Sequence, residues 1–186
     1  MKNWKTEMVT AFTTLSNGLL VMRFHHLMML DWDVLQLAPL KAHGHCTAAN
    51  RKEVELRLYN RCISRPKELW AIYHTHSGVH AFRLDKRLPV RCFEALETAR
   101  TLNCDPLYLK YSWQRNQWSA RVEPKPGRVL DRIHFKGFIG SGECHPLNLK
   151  ELEVHHSCLI EHGMTFRNLL SPSLVLHNLR INKLAS

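Results

Sequence analysis

No stretch of this chain approaches the run of about eighteen uncharged apolar residues that a membrane-crossing helix needs. Its greasiest segment, Leu27–Leu30, ends at Asp31. The first residues, Met1-Lys-Asn-Trp-Lys-Thr-Glu7, contain an acid and no apolar centre, so no secretory signal is expected. The six cysteines (Cys46, Cys62, Cys92, Cys104, Cys144, Cys158) form no C-x-x-C pair. That removes zinc-ribbon spacing and argues against a disulfide framework. Internal repeats and low-complexity segments are also absent, which excludes solenoid architectures. With 186 residues, 45% of them hydrophobic, the expectation is a soluble, cytoplasmic chain forming one domain with a core of its own.

Acids are the other shortage. Asp and Glu number 16 against 26 Lys and Arg, a net charge of +10 spread along the whole length. A surface field of that sign favours polyanions, above all nucleic acid or nucleotide phosphates. Histidines, by contrast, are plentiful at 13. His145, His155, His156 and His162 fall near Cys144 and Cys158, a candidate metal cluster, although the spacings match no standard pattern.

Periodicity gives an order of elements. Val9–Leu15 and Leu19–Met22, around Ser16-Asn17-Gly18, read as a hairpin, and the extended run continues from Arg23 to Val34. Pro39–His45 reads as a loop, followed by a helix from Thr47 to about Ile63 with Val54, Leu58 and Cys62 on its inner face. Strands are expected at Leu69–His76 and Val79–Leu84. A helix then runs from Pro89 to Leu102 with Phe93, Leu96 and Ala99 inward, and two further strands are placed at Leu107–Trp113 and Trp118–Val122. Pro124-Lys-Pro-Gly127 closes the region. The tail adds a strand at Val129–Phe135, a turn over Gly137, Gly140 and Gly142, and a helix from Leu147 to His162. The core order from residue 19 to Trp113 is therefore β-α-β-β-α-β, an α+β fold of the split-βαβ, ferredoxin-like or RRM-like kind. A hairpin precedes it and an α/β extension follows.

That topology brings distant residues together. In such a unit the first and third strands lie side by side and antiparallel, with the fourth on the first strand's other flank. Asp31 and Asp33 end the first strand, His80 opens the third and Asp105 precedes the fourth, so the four meet at one sheet edge. Strand alternation puts Asp31 and Asp33 on one face and Trp32, a core residue, on the other. Carboxylates gathered in this way are hard oxygen ligands that suit Mg2+ or Mn2+. Two such ions about 3.5–4 Å apart are the standard clamp for phosphoryl transfer. Arg121, Lys125 and Arg128 are candidate donors to a triphosphate or a strand backbone. Lys110 and Arg115, with Arg51, Lys52 and Arg57, could widen that footprint. Tyr108, Trp113 and Trp118 are either core or base-stacking residues.

The run Leu27-Met-Met-Leu-Asp31-Trp-Asp33 resembles the hydrophobic-hydrophobic-Asp-x-Asp motif of the archaeo-eukaryotic primase superfamily, the primase-polymerases. Ser77-Gly-Val-His80-Ala-Phe82 resembles its second motif, small residue-x-His, with Gly78 where Ser is usual. Cys104-Asp105-Pro-Leu-Tyr108 and Asn116-Gln-Trp118-Ser-Ala-Arg121 resemble its third, hydrophobic-Asp followed by strands bearing an aromatic and a basic residue. The resemblance spans about residues 19–128, within one catalytic domain over 1–186 whose extension begins near residue 129. It implies a template-dependent nucleotidyltransferase, a primase or polymerase acting in DNA replication. Asp31, Asp33 and Asp105 would hold two Mg2+ or Mn2+ ions, and no zinc would be needed in the active site. Ser77, Gly78, His80 and Arg121 would bind the nucleoside triphosphate. Lys110, Arg115, Lys125 and Arg128 would contact a single-stranded DNA or RNA template. Asp131 is a second candidate for the third acid.

Two other readings compete. An RRM-like binding module would use the same sheet and charge without metal, but it calls for aromatics at the strand centres, where the third strand offers Phe82 alone. A zinc metallopeptidase of the JAMM type would draw on His74, His76 and Asp85, with Glu53, Glu55 or Glu68 as base.

Overall fold

The computed structural model describes residues 11–15, 18–38, 40–124, 132–165 and 171–184 of the chain. Among them, no helix is long and apolar enough to cross a membrane. The architecture is α+β, with two antiparallel sheets and five α-helices among the described residues.

The larger sheet has the order β3 (Met29–Asp33), β5 (Gly78–Arg83), β4 (Leu69–His74), β7 (His134–Gly140), each antiparallel to its neighbour. Helix α1 (Arg51–Ser64) links β3 to β4, and β5 inserts between them, which is the split arrangement expected from the sequence. The smaller sheet is β1 (Ala11–Thr14), β2 (Leu20–Phe24) and β6 (Trp118–Arg121).

The register divides the larger sheet into two faces. Asp31 lies opposite His80 and His80 opposite Tyr73, so these three, with Met29, Asp33 and Phe82, share one face. Leu30, Trp32, Ala81, Ile72 and Trp70 occupy the other. Val54, Leu58 and Cys62, four residues apart on α1, are buried against that second face. The Trp32 indole donates to Leu102 O at 3.1 Å just after α2 (Phe93–Thr101). Trp32, Trp70, Tyr73, Phe24 and Phe82 are fully buried, each contributing about 1.5–3 kcal/mol of hydrophobic stabilisation.

Beneath α1 and α2 the core also holds charge. Arg61 forks onto Glu68 at 2.8 and 2.9 Å and donates to Thr98 Oγ1 at 2.8 Å. Glu68 also accepts from the Trp70 indole at 3.1 Å and faces Arg83 at 3.4 Å. Arg83 in turn pairs with Asp85, whose carboxylate accepts from Leu69 N–H at 3.0 Å. This network ties α1, β4, β5 and α2 together.

Several expectations need correcting. The run from Leu19 to Val34 is broken by a bend at residues 25–27 into β2 and β3. Leu107–Trp113 is not a strand: Pro106–Arg115 forms helix α3. Asp105 caps it by accepting from Leu107 N–H at 2.8 Å, Pro106 supplies the preset φ of a first helical position, and Asn116 ends it in the left-handed conformation at φ 53°. The following strand, β6, pairs with β2, not β3, so β3 is an edge strand of the larger sheet and not a central one. Helix α1 is capped by Asn50 and α2 by Cys92, later than expected in both cases. Phe93, expected inward, is the first residue of α2 and 84% exposed. Residues 40–45 form a short 3₁₀ turn.

In the tail, the stretch read as a glycine-rich turn is mostly β7, which completes the larger sheet beside β4. Gly140 is there because a Cβ at that position would stand 2.2 Å from Glu68 O. Helix α4 (Pro146–Glu161) covers the first face of the sheet, and α5 (Pro172–Leu184), not anticipated, packs on α4. His155 packs among the rings of Phe24, Tyr73 and Phe82, and His156 Nδ1 lies 3.4 Å from Tyr73 OH. His145 caps α4. These tail histidines are therefore packing and capping groups. Among the described residues, no three His, Cys, Asp or Glu side chains form a ready-made metal cage.

Candidate functional site

One end of the first face stays open. The strand alternation that buries Trp32 turns Asp31 and Asp33 toward a cleft of about 200 Å³, which Ser77, His80, Tyr108, Tyr111, Arg115 and Arg121 also line. Five separate segments contribute: the β1–β2 hairpin through Leu15, Leu19 and Val21, then β3, the β4–β5 hairpin, α3 and β6.

Cross-strand pairing sets the first contact. His80 lies directly opposite Asp31, with Nε2 3.4 Å from Asp31 Oδ1. Ser77, in the β4–β5 turn, donates its hydroxyl to Asp33 Oδ1 at 2.6 Å. Gly78 pairs with Asp33, and a Cβ there would fall 1.7 Å from Trp32 O. Only glycine allows this approach, and the hydroxyl of the turn comes from Ser77, the residue before it. The turn is gripped from outside by Arg51, whose guanidinium donates to Gly78 O at 3.2 Å and to Thr75 O.

Asp105 adjoins Asp31 through its backbone, but it does so at the start of helix α3 and not of a flanking strand, and its carboxylate is not among the groups that line the cleft. Its N–H donates to Asp31 O at 2.9 Å, and Cys104 Sγ sits 3.4 Å from the same oxygen. Burial pushes the Asp105 carboxyl above its ordinary pKa, the Leu107 and Tyr108 N–H groups pull it down, and the charge of Asp33 raises it further. Asp105 thus stands in the wall behind Asp31, with its carboxylate capping α3.

Arg115 and Arg121 reach the cleft from α3 and β6, and the Arg115 guanidinium lies 5.4 Å from the Tyr111 ring centre. Helix α4 buttresses this wall: His155 Nε2 is 3.3 Å from Arg121 O. Lys110 is not at the cleft and points to the opposite side of α3. Lys125, Arg128 and Asp131 lie outside the described residues. Tyr111 escaped the sequence reading because its segment was taken as a strand. The helical spacing of Tyr108, Tyr111 and Arg115 would have placed all three on one side.

The donor set fits hard divalent cations. Mg2+ keeps several waters and is commonly bound by one or two carboxylates together with substrate phosphates, so Asp31 and Asp33 facing an open cleft suffice without a closed protein cage. The peptidase trio does not assemble. His74 pairs with Glu55 on the α1 side at 2.5 Å, and His76 is exposed in the turn. Asp85 lies at the far end of the hairpin, about 17 Å away along a strand of this length.

Comparison of the chain with family models, with curated proteins and with solved structures gives no match.

Proposed function

We propose that this cleft binds a nucleoside triphosphate with Mg2+ or Mn2+ and adds nucleotides to a 3′-hydroxyl. The protein would then be a template-dependent nucleotidyltransferase of primase-polymerase type on an RRM-like core. The supporting observation is the meeting of Asp31 and Asp33 with His80, Ser77, Arg115 and Arg121 in one cleft. The β3-β5-β4 order with its α1 crossover agrees with that core.

Asp31 and Asp33 would hold the cations, with Asp105 close behind as a third carboxylate. When bound, the ions activate the attacking hydroxyl and steady the leaving pyrophosphate. Ser77 fixes the rotamer of Asp33. His80, set by its place opposite Asp31, offers a donor to a phosphate oxygen, and Arg121 and Arg115 supply charge-assisted donors to the triphosphate or the template. Gly78 lets the β5 backbone close against β3, and Arg51 keeps the turn in place.

Given Mg2+ or Mn2+, nucleoside triphosphates and a primed single-stranded DNA or RNA template, the protein is expected to extend the primer with release of pyrophosphate. Asp31→Asn should abolish product while leaving strand binding in EDTA unchanged, because strand affinity rests on the basic surface. Absence of metal-dependent incorporation by the wild type on every template would contradict the reading and leave a non-catalytic RRM-like binding module as the better account.

A further inference from the structure

Helix α3 has a second occupied side. Pro106, Leu109, Lys110, Trp113 and Gln114, at i, i+3, i+4, i+7 and i+8, face Leu96, Ala99, Arg100 and Asn103 of α2 and the loop after it. Between them runs a groove of about 630 Å³, within the size range of ligand sites. Its floor is apolar and its flanks carry Arg100 and Lys110, and among the described residues no acid lines it. The two acids of α2 are engaged elsewhere: Glu94 pairs with Lys86 at 2.5 Å and Glu97 with Arg65 at 3.5 Å. Trp113 stands at the mouth, 42% exposed. Its indole is held in place by Arg91, whose guanidinium lies 5.6 Å from the ring centre and donates to Trp113 O at 3.2 and 3.3 Å.

We infer that this groove is a binding site for single-stranded nucleic acid, with a base stacked on Trp113 and phosphates met by Arg100 and Lys110. Charge complementarity selects a polyanion, and an exposed, pre-set indole over an apolar floor suits an unpaired base, not a duplex backbone. The other side of the same helix presents Tyr111 and Arg115 to the cleft, so a strand seated in the groove has an aromatic and basic path around α3 to the acids. As a template site the groove rests on the proposed reaction; as a strand site it stands alone and is tested without nucleotide or metal.

The experiment is fluorescence anisotropy with a short labelled oligothymidylate in EDTA, across a salt series. Trp113→Ala should weaken binding about ten- to a hundredfold, the range of one lost base stack, while Trp113→Phe retains most of the affinity. Arg100→Ser with Lys110→Ser should lower the slope of log affinity against log salt by roughly 0.7 for each lost phosphate contact. Tyr59→Ala, an exposed aromatic on the outer side of α1, should change nothing. Equal binding by Trp113→Ala and wild type, with matching thermal melts, would overturn the assignment, and so would a wild type that binds no strand. Neither result touches the cleft, whose metal-dependent incorporation is read separately.

Discussion

The sheet carries a charged cluster on each face, and the two are built for different ends. On the α1 and α2 side, Arg61, Glu68 and Arg83 are 7, 3 and 5% exposed and bonded to one another, to Thr98 and to Trp70. On the cleft side, Asp31 remains 26% exposed, faces a histidine, and opens with Asp33 onto empty volume. Charges sealed among themselves fix the geometry of a fold and leave nothing for a ligand. Charges held on a rigid strand end but open to solvent can change partners. The second cluster depends on the first, because the network under α1 and α2 immobilises the β4–β5 hairpin that delivers Ser77 and His80.

The largest expected effect breaks the sealed cluster. Glu68→Gln takes the close carboxylate from buried Arg61, while Arg83 keeps Asp85 and Glu94, and should cost about 3–5 kcal/mol in urea unfolding, with little change in activity per folded molecule. A comparable loss of activity at constant stability would erase the distinction between the clusters.

His155 sharpens the comparison, since it packs from α4 onto the cleft face of the sheet yet is fully buried there. Burial, the larger effect, and the neighbouring His156 together lower its pKa to about 4 despite the contact with Arg121 O. Below about pH 6.5 the unfolded chain therefore takes up a proton that the folded one refuses. Stability should fall as pH drops from about 6.5 toward 4, by about 3 kcal/mol in all. His155→Gln, which keeps a donor toward Arg121 O, should flatten that part of the pH profile in thermal melts. An unchanged profile would show that His155 does not carry it.

The smallest effect belongs to the open cluster. His80→Ala should weaken triphosphate binding about ten- to a hundredfold, or about 1.5–3 kcal/mol, without disturbing the fold. Calorimetric titration checks this, and undiminished affinity would remove His80 from the phosphate site.

Much of this was legible in advance. The alternation around Trp32 placed both acids on one face, and the split topology put His80 beside Asp31. Asp105 was expected there ahead of a fourth strand; it does meet Asp31 through its backbone, but at the start of a helix. What misled was Leu107–Trp113, where Leu107, Leu109, Tyr111 and Trp113 fall on alternate positions and imitate a strand. The Asp105-Pro106 cap and the left-handed Asn116 decide for a helix, and with it went the second face of α3, where Trp113 lies. The tail was obscured for a different reason. Gly137 and Gly140 look like turn residues, but β7 runs past the Glu68 carbonyl too closely for a side chain at position 140. Burial of His155 and His156 depends on Tyr73 and Phe82, about eighty residues distant in sequence, and no local spacing reports it.

The central claim is that Asp31 and Asp33 form a cation site that works together with a triphosphate. It is tested most directly by Mn2+ titration followed by electron paramagnetic resonance, with and without nucleoside triphosphate, on wild type and Asp33→Asn. The account predicts that the wild type takes up Mn2+ more tightly when triphosphate is present and that Asp33→Asn loses this coupled uptake while melting normally. Superimposable titrations of the two proteins would contradict it.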